Sequence, residues 1–237
     1  TDSPEDNQLH RLRAYYMANV AMIDQKIGSI IETLDEEGYL DNSIIIFTSD
    51  HGDCLGDHGH IQKWTMFDVV TRVPLIVWYP EEFKQNYRAD QLCQTFDIVP
   101  AVLNMAGIEV PETWETRSLL PLLNGDDFNE RSFVFAEQGD DDRPVSQLMT
   151  MIRSKEWKLV NYLGDNSGEL YHLSEDPLEK DNLWNIKKYE PIKQELFYEM
   201  LKWHMESNNN TSEVKFTDSI NKWFKPKQNK SPYYNDI

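Results

Sequence analysis

The segment Ile44-Ile45-Ile46-Phe47-Thr48-Ser49-Asp50-His51-Gly52 decides how this chain is interpreted. Its apolar first half predicts a buried β-strand over residues 43–49, since both faces of that strand would be hydrophobic. Asp50 and His51 stand where the strand ends, which is where open α/β sheets place their ligand sites. A carboxylate beside an imidazole suits a divalent cation. Asp50 and His51 are therefore the candidate metal ligands.

A glycine-rich loop and a lysine follow this strand. The loop contains Gly56-Asp57-His58-Gly59, and Lys63 comes thirteen residues after Asp50. Glycine adopts backbone conformations that other residues avoid, so the chain can turn back tightly here. We therefore expect the ammonium group of Lys63 to lie over the cation.

These residues resemble the second signature of the sulfatases, a family of the alkaline phosphatase superfamily. That signature runs T-S-D-[HN]-G, then G-[DE]-H-G, then a lysine, then R-V-P-L-I. The matching positions here are residues 48–52, 56–59, Lys63 and 72–76, and the helix-like segment 15–42 before them also has the look of the family. The resemblance covers nearly the whole chain, which it places in the C-terminal half of such an enzyme.

The resemblance also implies a role for each matching residue. Asp50 and His51 would complete a calcium or magnesium site, and Lys63 would contact the sulfate and act as a catalytic group. Oxygen ligands favour calcium, while the histidine leaves manganese or zinc open. His58 lies in the G-[DE]-H-G match and is a candidate substrate-binding residue.

In this family, loops of the C-terminal subdomain help to form the pocket for the rest of the substrate. The segment after the predicted strand 132–136 is rich in hydrogen-bonding groups. Glu137, Gln138 and Arg143 are therefore further candidates for substrate binding.

The nucleophile of the family does not match any position of this chain. It is a cysteine in C-x-[PA]-x-R that is oxidised to formylglycine, and neither Cys54 nor Cys93 has that context. We interpret Cys54 as a packing residue. Since the chain starts at Thr1, we expect a missing N-terminal half that supplies the formylglycine and further metal ligands. On this interpretation, the chain alone is inactive.

The function that follows is a sulfuric ester hydrolase, dependent on metal and formylglycine, with a carbohydrate sulfate or a small sulfated molecule as substrate. A phosphonate monoester or phosphodiester hydrolase of the same superfamily is one alternative, because those enzymes also pair Asp with His at this place. A catalytically inactive scaffold or binding module is another. A carbohydrate sulfatase would be expected in the periplasm or outside the cell rather than in the cytoplasm.

Composition limits the possible partners. The net charge of −18 repels nucleic acid and anionic lipid, so neither is expected as a partner. The same field opposes a sulfated substrate, but salt screens it beyond about 8 Å. No apolar run approaches the roughly 20 residues of a membrane span.

The pattern along the chain predicts three parts. Residues 1–124 would form part of an α/β/α sandwich, with an amphipathic helix ending at Gly38, a second strand at 73–79 and a helix capped by Asp97. Residues 125–206 would form a smaller α+β subdomain, in which four antiparallel strands precede a helix. The strands are expected at 132–136, 148–153, 157–162 and 169–173, and the helix around 192–203. Residues 207–237 would form a C-terminal tail.

Overall fold

The computed structural model describes residues 6–139 and 148–210. Arg143 and residues 211–237 of the predicted tail therefore lie outside the described residues. The helices in the described ranges are α1 Asp6–Glu36, α2 Asp68–Thr71, α3 Ile98–Met105, α4 Leu120–Asn124 and α5 Glu190–Asn210. The strands are β1 Ile45–Thr48, β2 Leu75–Trp78, β3 Val134–Gln138, β4 Met149–Arg153, β5 Trp157–Tyr162 and β6 Gly168–His172.

Helix α1 ends as the sequence predicted. Gly38 has a φ of 73°, and the amide of Tyr39 donates to the carbonyl of Leu34 over 2.8 Å, which closes the last turn. The apolar side chains of α1 remain largely in solvent, with Ile30 60% exposed. Within the described residues, neither α1 nor any other helix is both long and apolar enough to cross a membrane.

Strands β1 and β2 form a two-stranded antiparallel sheet in which Thr48 lies opposite Leu75. The expectation of a fully buried strand at 43–49 was wrong for this chain. Phe47 is 37% exposed and Ile76 is 59% exposed, because no other described element packs on that face. The register brings the end of β1, and so the following Asp50, beside the start of β2.

Asp97 does not cap α3 with its side chain, contrary to the prediction. A 3-10 turn precedes the helix, and the carboxylate of Asp97 is completely buried. It accepts hydrogen bonds from the amides of Gln94 and Arg117, both over 2.8 Å, and it pairs with Arg131 over 2.6 Å. Asp97 therefore joins the segment before α3 to the segment before β3.

The C-terminal subdomain has the predicted meander, with strand order β3-β4-β5-β6 and antiparallel pairing throughout. Helix α5 covers one face of this sheet, as expected, through a core made of Ile152, Leu159, Leu170, Trp184, Leu196 and Met200. The opposite face packs on Met66 through Met149, Met151 and Val160. Since Met66 precedes α2, the C-terminal sheet lies directly against the N-terminal region.

Candidate functional site

Asp50 and His51 follow the end of β1 and are linked through the backbone. The amide of His51 donates to Oδ1 of Asp50 over 2.9 Å, and the hydroxyl of Ser49 donates to the carbonyl of His51 over 2.9 Å. The His51 amide is the main reason why the pKa of Asp50 lies below its usual value. The Asp50 side chain is 83% exposed, so its second carboxylate oxygen is available to a ligand.

The His51 imidazole is oriented by its neighbour. Its Nδ1 lies 2.8 Å from the carbonyl oxygen of Gly52, which favours a proton on Nδ1 and leaves a lone pair on Nε2. That Nε2 is 3.5 Å from Oδ2 of Asp50. Two ligands of one divalent cation, with bonds of about 2.0–2.5 Å, lie roughly 3 Å apart. The pair therefore fits two positions of one coordination shell.

This pair supplies only part of a metal site. Among residues 6–139 and 148–210, no group of three or more His, Cys, Asp or Glu residues is arranged to hold a metal ion. Asp50 and His51 thus fit a cation that takes its remaining ligands from water, substrate or protein groups beyond those ranges.

Gly52 fixes the loop after the ligand pair against α2. Its amide donates to the carbonyl of Val70 over 2.8 Å. A Cβ atom at this position would clash with the carbonyl oxygen of Val69. The position therefore requires glycine, and the required close contact ties His51 to α2.

Asp53 holds the loop that returns the chain to Lys63. Its Oδ1 accepts hydrogen bonds from the amides of Leu55, over 2.9 Å, and of Gln62, over 3.0 Å. The second bond joins residues nine positions apart and so closes the loop. Cys54 is completely buried inside this loop, and burial raises the pKa of its thiol. Cys54 is thus the packing residue that the sequence indicated, and the loop that encloses it leads directly to Lys63.

Most of the predicted site residues line one cleft between the N-terminal region and the C-terminal sheet. Asp50, His51 and Lys63 lie on its N-terminal side, and Glu137 and Gln138 lie on its C-terminal side. The cleft has a volume of about 1290 Å³. That is larger than the roughly 300–1,000 Å³ of most small-molecule pockets, so it has room for a saccharide.

His58 is not brought into this cleft. It has a φ of 55°, and its ring stacks on Phe67 with centroids 3.7 Å apart and planes 6° from parallel. Phe67 packs in turn against Tyr171 of β6. In this structure His58 fixes the loop to the C-terminal subdomain and has no contact with the metal-ligand pair.

Helix α5 contributes a side of the cleft that sequence reasoning missed. Trp203 lies at the end of the helix expected around 192–203, and it lines the cleft. Its ring stacks on Phe135 at 4.5 Å, and its indole N–H donates to Glu115 over 3.3 Å. Glu137 lies beside it, where it accepts a hydrogen bond from Thr150 over 3.2 Å. The helical spacing that identified Trp203 could not tell a core position from a cleft position.

The cleft is richer in cationic groups than the acidic composition suggests. Besides Lys63, it is lined by Arg72, Arg88 and Lys155. Lys155 pairs with Glu130 over 2.8 Å, whereas Arg72 and Arg88 form no ion pair with another described residue. Carboxylates also line the cleft, among them Asp68, Asp90 and Glu115. Planar guanidinium groups recognise carboxylates, sulfates and phosphates, so Arg72 and Arg88 are the groups that suit an anionic ligand here.

A buried ion cluster behind the cleft was also missed. Lys158 of β5 is completely buried, and its ammonium group pairs with Asp68 and with Glu179, the latter over 2.6 Å. Arg153 also binds Asp68, over 3.1 Å. Burial opposes ionisation of Asp68, but the two cations outweigh it and lower the pKa of that carboxyl. A lysine within an apolar strand was the only sequence signal for this cluster.

Two family models match the chain. The sulfatase model matches residues 1–108, and the model described as N-sulphoglucosamine sulphohydrolase, C-terminal, matches residues 56–206. The second match alone covers more than half of the chain and includes Lys63 and the C-terminal side of the cleft, whereas Asp50 and His51 lie in the first match.

Curated relatives agree with these matches. The chain is 31% identical over 187 residues to N-acetylglucosamine-6-O-sulfatase of Bacteroides thetaiotaomicron, covering 76% of the chain and 33% of that protein. It is 34% identical to choline-sulfatase of Rhizobium meliloti, covering 77% of the chain and 35% of that protein. The chain therefore spans about a third of the length of these relatives.

Solved structures share the fold. BT4656, in complex with its substrate D-glucosamine-2-N,6-O-disulfate, matches with a TM-score of 0.76 at 29% identity over 83% of this chain and 41% of that one. The phosphonate monoester hydrolase from Silicibacter pomeroyi matches with a TM-score of 0.78 at 26% identity, over 86% of this chain and 43% of that one. The fold is therefore the alkaline-phosphatase-like α/β fold with its small C-terminal α+β subdomain.

Proposed function

Because this chain belongs to the sulfatase family, we propose that it forms part of a sulfuric ester hydrolase that acts on a carbohydrate sulfate. The observation that carries the proposal is the convergence of Asp50, His51 and Lys63 on one cleft. An acidic oxygen, an imidazole nitrogen and an ammonium group are the combination that binds a cation and an anionic substrate side by side.

Asp50 and His51 would hold the divalent cation, with Asp50 supplying an oxygen and His51 supplying Nε2. Calcium fits best, because the Asp50 carboxylate and the surrounding solvent offer oxygen ligands. Magnesium, manganese and zinc are the alternatives. When bound, the cation supplies Lewis-acid chemistry at the sulfate group.

Lys63 would bind the sulfate oxygens and stabilise the negative charge that they carry during transfer. Arg72 and Arg88 would raise the positive potential of the cleft and draw the sulfated substrate in. Glu137 and Gln138, on the opposite side, would accept and donate hydrogen bonds to sugar hydroxyl groups. Arg143, outside the described residues, remains a candidate for substrate contact, whereas His58, which stacks on Phe67 outside the cleft, is proposed only to hold the loop.

We further propose that the formylglycine nucleophile and the remaining metal ligands lie in residues beyond this chain. The chain spans about a third of its curated relatives, and Asp50 and His51 are only two ligands. On this proposal the chain alone is inactive, and its partner is the N-terminal half of the same protein.

Two of the matches support a glucosamine-type sulfate as the proposed substrate, while choline-sulfatase, at 34% identity, supports a small sulfated molecule as the alternative. One relative is named for a 6-O-sulfate of N-acetylglucosamine, and one structural neighbour is bound to a disulfated glucosamine. A carbohydrate sulfatase of this kind would act in the periplasm or outside the cell.

A phosphonate monoester hydrolase is the second candidate. The structural match to such an enzyme, with a TM-score of 0.78, is as good as the match to BT4656 at 0.76. Both chemistries place a tetrahedral anion between a metal and a cation, so the described side of the cleft serves either one.

The test is an assay of the complete polypeptide that carries this chain, with calcium, on N-acetylglucosamine 6-sulfate and on a phenyl phosphonate ester. We expect sulfate release, and Lys63→Ala should lower kcat by roughly 10²–10³-fold. Lys187→Ala is the matched control, since Lys187 is exposed and lies outside the cleft. Faster turnover of the phosphonate ester would favour the second candidate, and no turnover of either substrate would overturn both.

A further inference from the structure

The ammonium group of Lys158 holds a backbone segment of the other region of the molecule. Lys158 lies on the face of β5 that packs against Met66, and it is 0% exposed. Its Nζ donates to the carbonyl of Met66 over 3.0 Å as well as pairing with Asp68 and Glu179. One buried cation thus fixes the backbone at residue 66 and the side chain at residue 68.

This contact continues to the metal-ligand pair in three further steps. Glu179 accepts the amide of Asp68 over 2.6 Å, which fixes the first residue of α2. Two residues later, the carbonyl of Val70 accepts the amide of Gly52 over 2.8 Å. The carbonyl oxygen of Gly52 in turn accepts a hydrogen bond from Nδ1 of His51. This hydrogen bond orients Nε2 toward the proposed cation position.

We propose that Lys158 is a positioning residue for the metal-ligand loop, acting through Asp68, α2 and Gly52 on the orientation of His51. The inference rests on the proposed role of Asp50 and His51 at the metal. On this proposal the C-terminal sheet does more than line the cleft. It also fixes the orientation of the metal-ligand pair on the opposite side of the cleft.

The charge balance explains why a buried cation is needed here. Lys158 and Arg153 pair with two carboxylates, Asp68 and Glu179, and Glu169 lies near enough to interact with both Lys158 and Glu179. Without the lysine, the buried Glu179 would lose the cation that it pairs with, and Asp68 would keep only Arg153. Asp68 would then move toward the cleft that it already lines, and α2 would move with it.

The test measures the hydrogen bond between the Gly52 amide and the Val70 carbonyl, by amide hydrogen exchange in the complete polypeptide. Lys158→Met keeps an unbranched apolar stem and removes the ammonium group. We expect the Gly52 amide to exchange at least about tenfold faster in this variant, since the contact to Val70 loosens locally. Leu196→Ala is the matched control, because Leu196 also stabilises the C-terminal sheet but only on its α5 face.

The second readout is the affinity for calcium, with the metal alone as probe. Groups that orient a metal-binding histidine typically change metal affinity by about 10–100-fold when they are removed. We expect a loss in that range for Lys158→Met and no loss for Leu196→Ala. If both variants expose Gly52 equally at equal global stability, Lys158 is only a structural contact and the inference is overturned.

A milder variant covers the case in which Lys158→Met does not fold. Glu179→Gln keeps an acceptor for the Asp68 amide but removes one charge, so Gly52 exchange should rise by a smaller factor. Unchanged exchange in Glu179→Gln also contradicts the inference. Because exchange at Gly52 does not require turnover, the inference is tested even if no sulfate is released.

Discussion

The two regions of this chain use the same apolar residue types in different ways. In the C-terminal sheet, Ile152 and Leu159 are 0% exposed, covered by α5. In the N-terminal region, Ile30 of α1 and Ile76 of β2 are 60% and 59% exposed. Contiguous exposed apolar surface marks an interaction site, and scattered single residues do not. The C-terminal sheet therefore has a core closed by α5, whereas α1 and β2 keep large apolar side chains in solvent.

The candidate catalytic residues and the buried core also lie in different regions. The metal-ligand pair lies in the open region, where Asp50 is 83% exposed and reachable by ligands. The closed region supplies the fixed framework, and buried ion pairs connect the two. The experiments that follow test whether the closed region and its connections carry most of the folding free energy.

The largest expected effect is at the ion pair between Asp97 and Arg131. Arg131→Met should lower the free energy of unfolding by about 3–5 kcal/mol, because it leaves a completely buried carboxylate without its cation. Urea unfolding of wild type and variant measures this difference.

Lys155→Met is the control for that experiment. Its pair with Glu130 has a similar N–O distance, 2.8 Å, but Lys155 is 49% exposed, so the loss should stay below about 1 kcal/mol. Similar losses in the two variants would show that burial does not determine the strength of these connections.

The next effect compares the two kinds of apolar side chain. Leu159→Ala in the closed core should lower the free energy of unfolding by about 2–5 kcal/mol, because it opens a cavity. Ile30→Ala on α1 should change it by less than about 0.5 kcal/mol. Thermal unfolding of both variants tests this, and a loss at Ile30 as large as that at Leu159 would show that the α1 face is already covered.

A smaller effect is expected at the glycine beside the metal ligands. Gly52→Ala should destabilise the chain by about 1–3 kcal/mol, because the new methyl group clashes with the Val69 carbonyl. Gly28→Ala is the matched control, since a Cβ there meets nothing within 4 Å and the helix should gain up to about 1 kcal/mol. Calorimetry should thus give changes of opposite sign, and a neutral Gly52→Ala would contradict the close docking on α2.

Local patterns were sufficient to predict the closed region. The expected strand 157–162 coincides with β5, and the other three expected strands lie within two residues of β3, β4 and β6. Alternating apolar residues and short turns encode such a meander locally. Asp50, His51 and Lys63 were predicted as site residues from a segment in which they lie close together, and the structure places all three on one cleft.

Long-range contacts were the part that local patterns could not predict. Lys158 and Asp68 are separated by 90 residues, and no local pattern links them. Asp97 was interpreted as a helix cap because acid residues favour that position, but its partner Arg131 lies 34 residues later. The prediction of a buried strand at 43–49 was wrong for a related reason. An apolar strand is buried only if other segments pack on it, and the sequence of the strand does not specify those segments.

The smallest expected effect concerns a carboxyl group in the closed region. Burial is the main reason why the pKa of Glu169 lies above its usual value, whereas the backbone amide of His51 is the main reason why the pKa of exposed Asp50 lies below its usual value. Because the pKa is higher in the folded state, ionisation of Glu169 costs folding free energy at neutral pH. This cost begins to fall as the pH drops through the folded-state pKa, and it is gone below the unfolded-state pKa. Glu169→Gln removes the charge and keeps an acceptor for the Tyr162 hydroxyl, which binds Glu169 over 2.6 Å.

Glu169→Gln should therefore raise the free energy of unfolding at pH 7, by less than about 1 kcal/mol, since one hydrogen bond is merely exchanged for a neutral one. The difference from wild type should shrink toward about pH 4, where the carboxyl group of the unfolded chain also becomes protonated. Urea unfolding at both pH values measures it. A variant that is less stable than wild type at pH 7 would mean that attraction to nearby Lys158 stabilises the Glu169 carboxylate by more than burial destabilises it. The closed region would then tolerate a buried charge that its apolar core is expected to disfavour.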